Sequence, residues 1–466
     1  MVDAMRFEQR MSDADALMWR NEKDPALRST IVAVAILDRA PSRERLEDRL
    51  ERTSRLVPRL RQRVVHSPFS IAPPRWEVDP NFDLRYHLRW FRASRQGGLD
   101  EALRVAEPIA MQGFDRARPL WEFVVVDGLA DGQAATILKL HHSISDGVGA
   151  VQIAMNLFDL ERDPPGPPPP MPDLPAPDML DIPGRMIDAF QHERRRLAGI
   201  ATRVPATFAS AAAASVRDTG GAAQNVAAML GSAGRMFGMA PRPMSPLMVG
   251  RSLRIRFDAL SVPVEDMKAA ARTAGSRLND AFVAATLGGL RRYHDHHGVK
   301  VDELRMTMPI NVRGEDKSDL AGNAFAPARF LVPLNIDDPV ERMRVVRGLV
   351  AQQRAEPAMA LLDPMALVVH RLPTSISTAL FQSMLRGQDL VTSNVPGVPI
   401  PVFIAGSAVI AQYPFGPLSA AATNVTLLSY QDHVHVGINT DSAAVPDHEV
   451  FLACMHDSFD EIRKLA

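Results

Sequence analysis

Residues Lys139 to Ala150 read KLHHSISDGVGA, and the plan of the chain can be worked outward from them. The run in front, Ala135 to Leu140 (ATILKL), reads as a strand. Asp146-Gly147 fits a turn, with glycine supplying the backbone freedom, and Val148 to Leu160 reads as the helix that follows. Consecutive strand side chains point to opposite faces, so His141 and His142 cannot do the same job. One faces a cleft and the other packs behind it. Imidazole titrates near neutrality, which suits a general base. The rival reading is a metal shared by His141, His142 and Asp146. Diverging strand histidines make a single shared ion awkward, and no metal is expected.

Upstream, Leu120 to Val126 (LWEFVVV) is a strand separated from ATILKL by the turn-rich DGLADG. Thr30 to Leu37 (TIVAVAIL) is a β-branched apolar run that predicts a strand buried on both faces. Pro41-Ser42 opens a helix with Leu46 and Leu50 on one side, and a second helix covers Leu99 to Ala110. Residues 1–162 thus form an α/β domain carrying HHSISDG.

Downstream the composition breaks. Asp163 to Pro177 (DPPGPPPPMPDLPAP) can be neither helix nor central strand, because proline lacks the N–H and fixes φ, and it reads as a stiff linker. Pro183 to Pro246 is rich in Ala, Gly and Met and reads as helices crossing between domains, with Val226, Met229, Leu230, Ala233 and Phe237 at helical spacing. Residues 163–249 are therefore linker and crossover, and 250–466 a second α/β domain. Its expected strands are Ser252 to Phe257, Arg305 to Val312, Val409 to Gln412, Asn424 to Ser429 and His433 to Asn439. Its expected helices are Val264 to Ala274, Asn279 to Tyr293, Pro339 to Gln353, Pro364 to Leu372 and Glu449 to Leu465.

Composition sets the outer limits. Of 466 residues, 46% are hydrophobic and 23% charged, as in a water-soluble globular protein. Lys plus Arg (53) nearly balances Asp plus Glu (54), so no overall field would recruit nucleic acid or an anionic membrane, which leaves only local patches. Cys454 is the single cysteine; no intrachain disulfide can form, which fits a reducing compartment. No apolar run reaches the length of about 18 residues that a transmembrane helix needs. The N-terminus, MVDAMRFEQRMSDADALMW, lacks a signal-peptide core. A cytoplasmic protein is expected, with room for peripheral contact at the inner membrane face or a lipid droplet.

HHSISDG fits the HHxxxDG motif of the acyltransferase superfamily that includes chloramphenicol acetyltransferase and peptide-synthetase condensation domains. The chain resembles one branch over nearly its whole length, the bacterial wax ester synthase/diacylglycerol acyltransferase family. The resemblance is carried in order by SDADALMW, Pro119-Leu120-Trp121, HHSISDG, Asn279-Asp280, MPINVR (Met308 to Arg313), Gly322-Asn323, SNVPG (Ser393 to Gly397), YPFGPL and LLSYQDHVHVGINTD. It implies two chloramphenicol acetyltransferase-like α/β domains with mixed sheets, and an active site between them reached from both sides. It implies acyl-CoA as co-substrate with no bound cofactor, and diacylglycerol or a long-chain alcohol as acceptor. It makes His142 the general base, with His141 and Gly147 beside it in the motif. Asp146 becomes a structural acid paired with an arginine, for which Arg313 is the candidate. Ser145 stands where the family usually has an aliphatic residue.

Asn279, near the first turn of its helix, could donate to the thioester carbonyl or its oxyanion, or simply cap the helix. Asp280 suits the helix dipole. Ser393 and Asn394 are candidates for lining the substrate path, or for a strand-ending turn, and Trp121 for substrate stacking or core. His294, His296 and His297 (RRYHDHHG) read as a solvated helix end. Arg194, Arg195 and Arg196 beside apolar residues suggest that 183–246 meets a membrane. Two other functions remain open: a related acyltransferase acting on a polyketide or carrier-protein thioester, and a catalytically silent lipid-binding protein.

Overall fold

The computed structural model describes residues 6–66, 72–94, 97–144, 153, 155–166, 169–196, 242–311, 320–321, 325–354, 374–385 and 387–466. Strands of the two large sheets are, in chain order, β1 Thr30–Leu37, β2 Leu88–Arg92, β3 Trp121–Asp127, β4 Ala134–His141, β5 Ile255–Pro263, β6 Glu303–Asn311, β7 Phe325–Pro333, β8 Leu390–Val395, β9 Phe403–Ile404, β10 Ser407–Phe415, β11 Thr423–Tyr430 and β12 His433–Asp441. The helices used below are α1 Asp13–Asn21, α2 Arg43–Leu56, α3 Leu99–Met111, α4 182–196, α5 Val264–Thr273, α6 Leu278–His296, α7 Pro339–Arg354, α8 Thr374–Leu385 and α9 His448–Arg463.

The first sheet has the order β9-β10-β1-β4-β3-β2, and the second β7-β6-β8-β11-β12-β5. Both are mixed: β2–β3, β6–β8 and β8–β11 are parallel, while the β1–β4 and β11–β12 pairs are antiparallel. This is the α/β class with two mixed sheets that the resemblance implied. TIVAVAIL forms β1 over the expected residues, with Val32, Val34, Ile36 and Leu37 buried. Ser42 caps α2 by accepting from the Arg45 N–H at 3.4 Å, and Leu46 and Leu50 are buried beneath it. In the second half, α6 packs between α9 and α7. A Cβ on Gly288 would lie 2.2 Å from Ser458 Oγ, so only glycine allows α9 to approach this closely.

The chain crosses its own domain boundary. β9 and β10 come from the 250–466 part, yet β10 pairs with β1 from Val409↔Leu37 to Phe415↔Val32 and completes the first sheet. A core of Val32, Val34 and Ile137 with the α3 residues Ala102, Leu103 and Ala106 also takes in Phe257 and Phe415, which stack at 4.1 Å. The two sheets therefore share apolar core.

The Pro-rich segment is held against the first domain rather than suspended. Proline carbonyls remain acceptors although the N–H is gone. On α2, Arg52 donates to Pro170 O at 2.9 Å, Arg55 to Pro172 O at 2.9 Å and Arg45 to Asp163 at 2.8 Å. Farther on, Arg75 pairs with Asp178 at 2.6 Å. The expected helices at Pro364 to Leu372 and around Val226 to Phe237 lie outside the described residues, as do residues 148–152 and 154; the helix expected to reach Leu160 instead gives way to a turn after Met155, and Asp159 bridges to Phe403. Among the described residues, no helix is long and apolar enough to cross a membrane.

Candidate active site

His141 ends β4 and pairs with Thr30 of β1. Its N–H donates to Leu120 O at 3.0 Å, and the His142 N–H donates to Ser29 O at 2.8 Å, so both neighbouring strands fix the backbone that carries the pair. The His141 ring is fully buried. Its Nδ1 accepts from the Ser143 N–H at 3.0 Å and lies 2.6 Å from Ser143 Oγ. An Nδ1 that accepts places the neutral ring's proton on Nε2. That nitrogen faces Glu22 Oε1 at 2.9 Å. Trp19 and Phe114 close the ring in edge-on, at 5.4 and 5.9 Å.

Glu22 follows α1 and also accepts from the Ser29 N–H at 2.9 Å. Burial pushes its carboxyl up, but the His141 hydrogen bond and charge, the Ser29 N–H and Arg116 outweigh that, and the net direction is down. Glu22 is thus an ionised anchor for His141 and for the start of β1. Sequence reasoning missed it; its signal was its position just after the quoted SDADALMW segment. One residue beyond the locked His141, His142 is half-buried. This division of labour is what opposite-facing strand residues require.

A second group gathers on the other sheet, at the carboxyl ends of the parallel strands β6 and β8 and the first turn of α6. Asn394 donates to Asn279 Oδ1 at 3.3 Å, and Asn279 Nδ2 points at Met308 Sδ, 3.9 Å away. Asp280, not Asn279, closes the helix start, accepting from the Arg277 N–H at 2.9 Å. Asn279 is therefore free of capping duty, and its amide N–H has only a weak thioether contact among the described residues. Ser393 neighbours Asn394 near the end of β8 and pairs with Thr426. The structure thus joins Asn279 to the SNVPG segment, as it joins His141 to Glu22. Asp146, Gly147 and the candidate partner Arg313 lie outside the described residues, as do Ser145, Gly322 and Asn323.

Trp121 does not line a substrate path. It is buried, donates from Nε1 to Leu60 O at 2.7 Å and stacks on His87 at 4.4 Å, so it is core. The solvated reading of the RRYHDHHG cluster holds for the exposed His296 and His297 but not for His294. His294 is buried, with Nε2 2.7 Å from Ser245 Oγ and Nδ1 2.8 Å from Leu290 O. Among the described residues no group of histidine, cysteine and carboxylate side chains could hold a metal.

Between the sheets lies a crevice of about 70 Å³ whose lining includes Arg28, Thr30, Val32, Phe257, Phe415 and Asn439. Thr30 is the cross-strand partner of His141, so the crevice reaches the strand beside the histidine pair. Its walls are mostly apolar. Thr30 Oγ1 and Asn439 Oδ1 are buried in it without hydrogen-bond partners among the described residues.

Comparison with known proteins bears on the family and the fold. Residues 11–282 match the model of the wax ester synthase/diacylglycerol acyltransferase catalytic domain, and 321–463 that of the family's C-terminal domain. A Mycobacterium tuberculosis protein bearing the name diacylglycerol O-acyltransferase is 36% identical over 464 residues, covering 100% of this chain and 94% of the relative. Another from the same organism, similarly named, is 28% identical over 426 residues, covering 90% of this chain and 87% of its own. Among solved structures, the wax ester synthase/diacylglycerol acyltransferase of Marinobacter aquaeolei VT8 superposes with TM-score 0.63 at 21% identity, covering 97% of this chain and 98% of that one. The first condensation domain of the calcium-dependent antibiotic synthetase gives TM-score 0.61 at 14% identity, covering 98% and 96%. At these identities the structural matches speak for the fold.

Proposed function

The chain belongs to the wax ester synthase/diacylglycerol acyltransferase family, and from that premise we propose that it transfers a long-chain fatty acyl group from acyl-CoA to diacylglycerol, a long-chain alcohol, or both. The observation that carries this reading is the HHSISDG segment at the end of β4, with His141 locked by Glu22 and Ser143 and His142 one residue beyond.

In this scheme the acceptor O–H gives its proton to the His142 ring as the oxygen bonds to the thioester carbonyl carbon. The oxyanion is met by a donor, for which Asn279 Nδ2 is the candidate. The C–S bond then breaks, and the CoA thiolate takes the proton back from the imidazolium. The ester and free CoA are the products. The acyl group arrives activated, so the scheme calls on neither a metal nor a bound cofactor. The family resemblance would make Asp146 a structural acid with Arg313 as its expected partner, and Gly147 its neighbour in the motif. Ser393 and Asn394 border the path on the second domain. The acceptor is insoluble, so we place the enzyme at the surface of a membrane or lipid droplet, facing the cytoplasm.

The test is CoA release from palmitoyl-CoA with diacylglycerol or hexadecanol, for the wild type and His142→Ala. Acceptor-dependent release that falls by about 10²-fold or more in the variant is the expected result. The faster acceptor identifies the main product. Equal rates would remove His142 as base. Silence with both acceptors would favour the carrier-protein acyltransferase or the lipid binder.

A further inference from the structure

Amphipathic surface helices turn their apolar stripe toward the protein. α4 does the reverse. On its inner side Arg185 makes a two-pronged pair with the fully buried Glu77, at 3.1 and 2.8 Å. Asp188 pairs with Arg10 and lies 3.4 Å from Arg75; Arg196 pairs with Asp13. Ala189 and Glu193 are buried in the same row. The row 185, 188/189, 192/193, 196 is one helix face, so ion pairs are what attach this helix. Its opposite face carries Ile187 and Phe190, 58% and 57% exposed, preceded by Ile182 at 66%. Met179 and Leu174 extend the apolar strip along the incoming chain, 49% and 59% exposed. The outward row ends in Arg194, with Arg195 beside it, both exposed.

We propose that the outward face of the 182–196 helix docks on an anionic phospholipid surface, with Ile187 and Phe190 entering the acyl boundary and Arg194 and Arg195 meeting lipid phosphates. An apolar strip ending in exposed arginines, on a helix held from behind by charge pairs, has the layout of an interfacial helix. A protein interior would satisfy the strip but not the two arginines; an anionic lipid layer satisfies both. The proposal rests on the reading that the acceptor is a lipid alcohol, which the enzyme must collect from such a layer.

The experiment is flotation of the full chain with vesicles of equal parts phosphatidylcholine and phosphatidylglycerol, and with vesicles of phosphatidylcholine alone. Ile187→Asp/Phe190→Asp is expected to lower partitioning onto both by about tenfold or more. Arg194→Gln/Arg195→Gln is expected to weaken binding only to the anionic vesicles. Both variants are expected to keep the wild-type melting temperature and CoA release with a detergent-dispersed acceptor. Wild-type flotation by the aspartate variant would overturn the proposal. So would a lower melting temperature in that variant, which would mean that the chain itself, residues 197–241 included, covers the strip. If the wild type floats through this face yet releases no CoA with any acceptor, the acyl-transfer reading fails and the docking face stands.

Discussion

At the scale of single residues, the site sets a fully buried, locked His141 beside a half-buried His142. Glu22 does the holding, and its charge-assisted contact with His141 is worth about 1.5–3 kcal/mol by the usual measure of such bonds. Glu22→Gln is therefore expected to lower kcat by roughly ten- to a hundredfold while leaving KM for acyl-CoA nearly unchanged, because position rather than substrate contact is lost. Steady-state CoA release reads both constants; a change confined to KM would place Glu22 on the substrate instead. The same pair carries a pH signature. The Glu22 carboxyl is held below its ordinary value of 4.5, so its stabilisation is complete above that pH and drains away as pH falls through and below it. Urea titrations of the wild type and Glu22→Gln should converge in acid and diverge toward neutrality. Asn279 makes the complementary case on the other domain. If its amide meets the oxyanion, Asn279→Ala should cost about 10²–10³ in kcat with KM little changed. Equal kcat in the variant would leave Asn279 as a prop for Asn394.

At the scale of elements, close approach explains residues that motif reading can only mark. Gly437 sits in the HVHVGINTD segment of β12, where a Cβ would lie 1.9 Å from Pro414 O of β10, in the YPFGPL segment. Two family motifs distant in sequence are thus the two sides of one contact. Gly437→Ala is expected to cost at least about 1–3 kcal/mol, read as a lower urea midpoint with an unchanged slope, because backbone cannot yield as a side-chain tip can. An unchanged midpoint would show that the strands part freely. The elements legible beforehand were those whose pattern is set by burial: β1, with its β-branched run, and α2, with a serine cap and two inward leucines. The edge strands β7 and β2 were not legible. β7 (FAPARFLVP) contains two prolines and an arginine, which an edge tolerates and a central strand does not, and β2 (LRWFR) has two arginines among five residues. The strand expected at Ser252 begins instead at Ile255 and runs on to Pro263. Periodicity marks β10 as a strand but carries no record of which sheet it joins. For the same reason His141 and His142 could be picked out locally, whereas Glu22 and the Asn279–Asn394 bond depend on contacts between distant parts of the chain.

At the scale of the whole molecule, each half buries a histidine that cannot easily take a proton. His87 lies under Trp121 in the first domain, where burial lowers its pKa to about 4 against a partial lift from the Trp121 carbonyl. His435 lies on β12 against the crossing strand β10, 2.8 Å from Ser261 Oγ, which in turn is 3.1 Å from Tyr413 OH. Burial lowers it to about 4 as well, with help from His433 and opposition from Asp432. Both values lie below the ordinary 6.5, so as pH falls the unfolded chain takes up these protons first. Stability is then whole above about pH 6.5 and drains until about pH 4, by roughly 3 kcal/mol for each histidine at most. His435 stands where the second sheet meets the strand that completes the first, so the seam between domains should be the first region to loosen. His435→Gln keeps a polar partner for Ser261 without a charge to acquire. It should lose some stability near neutrality through the missing ring contacts, yet fall less steeply between about pH 6.5 and about pH 4. Hydrogen exchange across β10 and β12 in the wild type should quicken over the same interval, ahead of α6 and α9 in the second domain's core. An identical acid slope in the wild type and His435→Gln, with β10 exchanging no sooner than α6, would show that the two sheets come apart for some other reason.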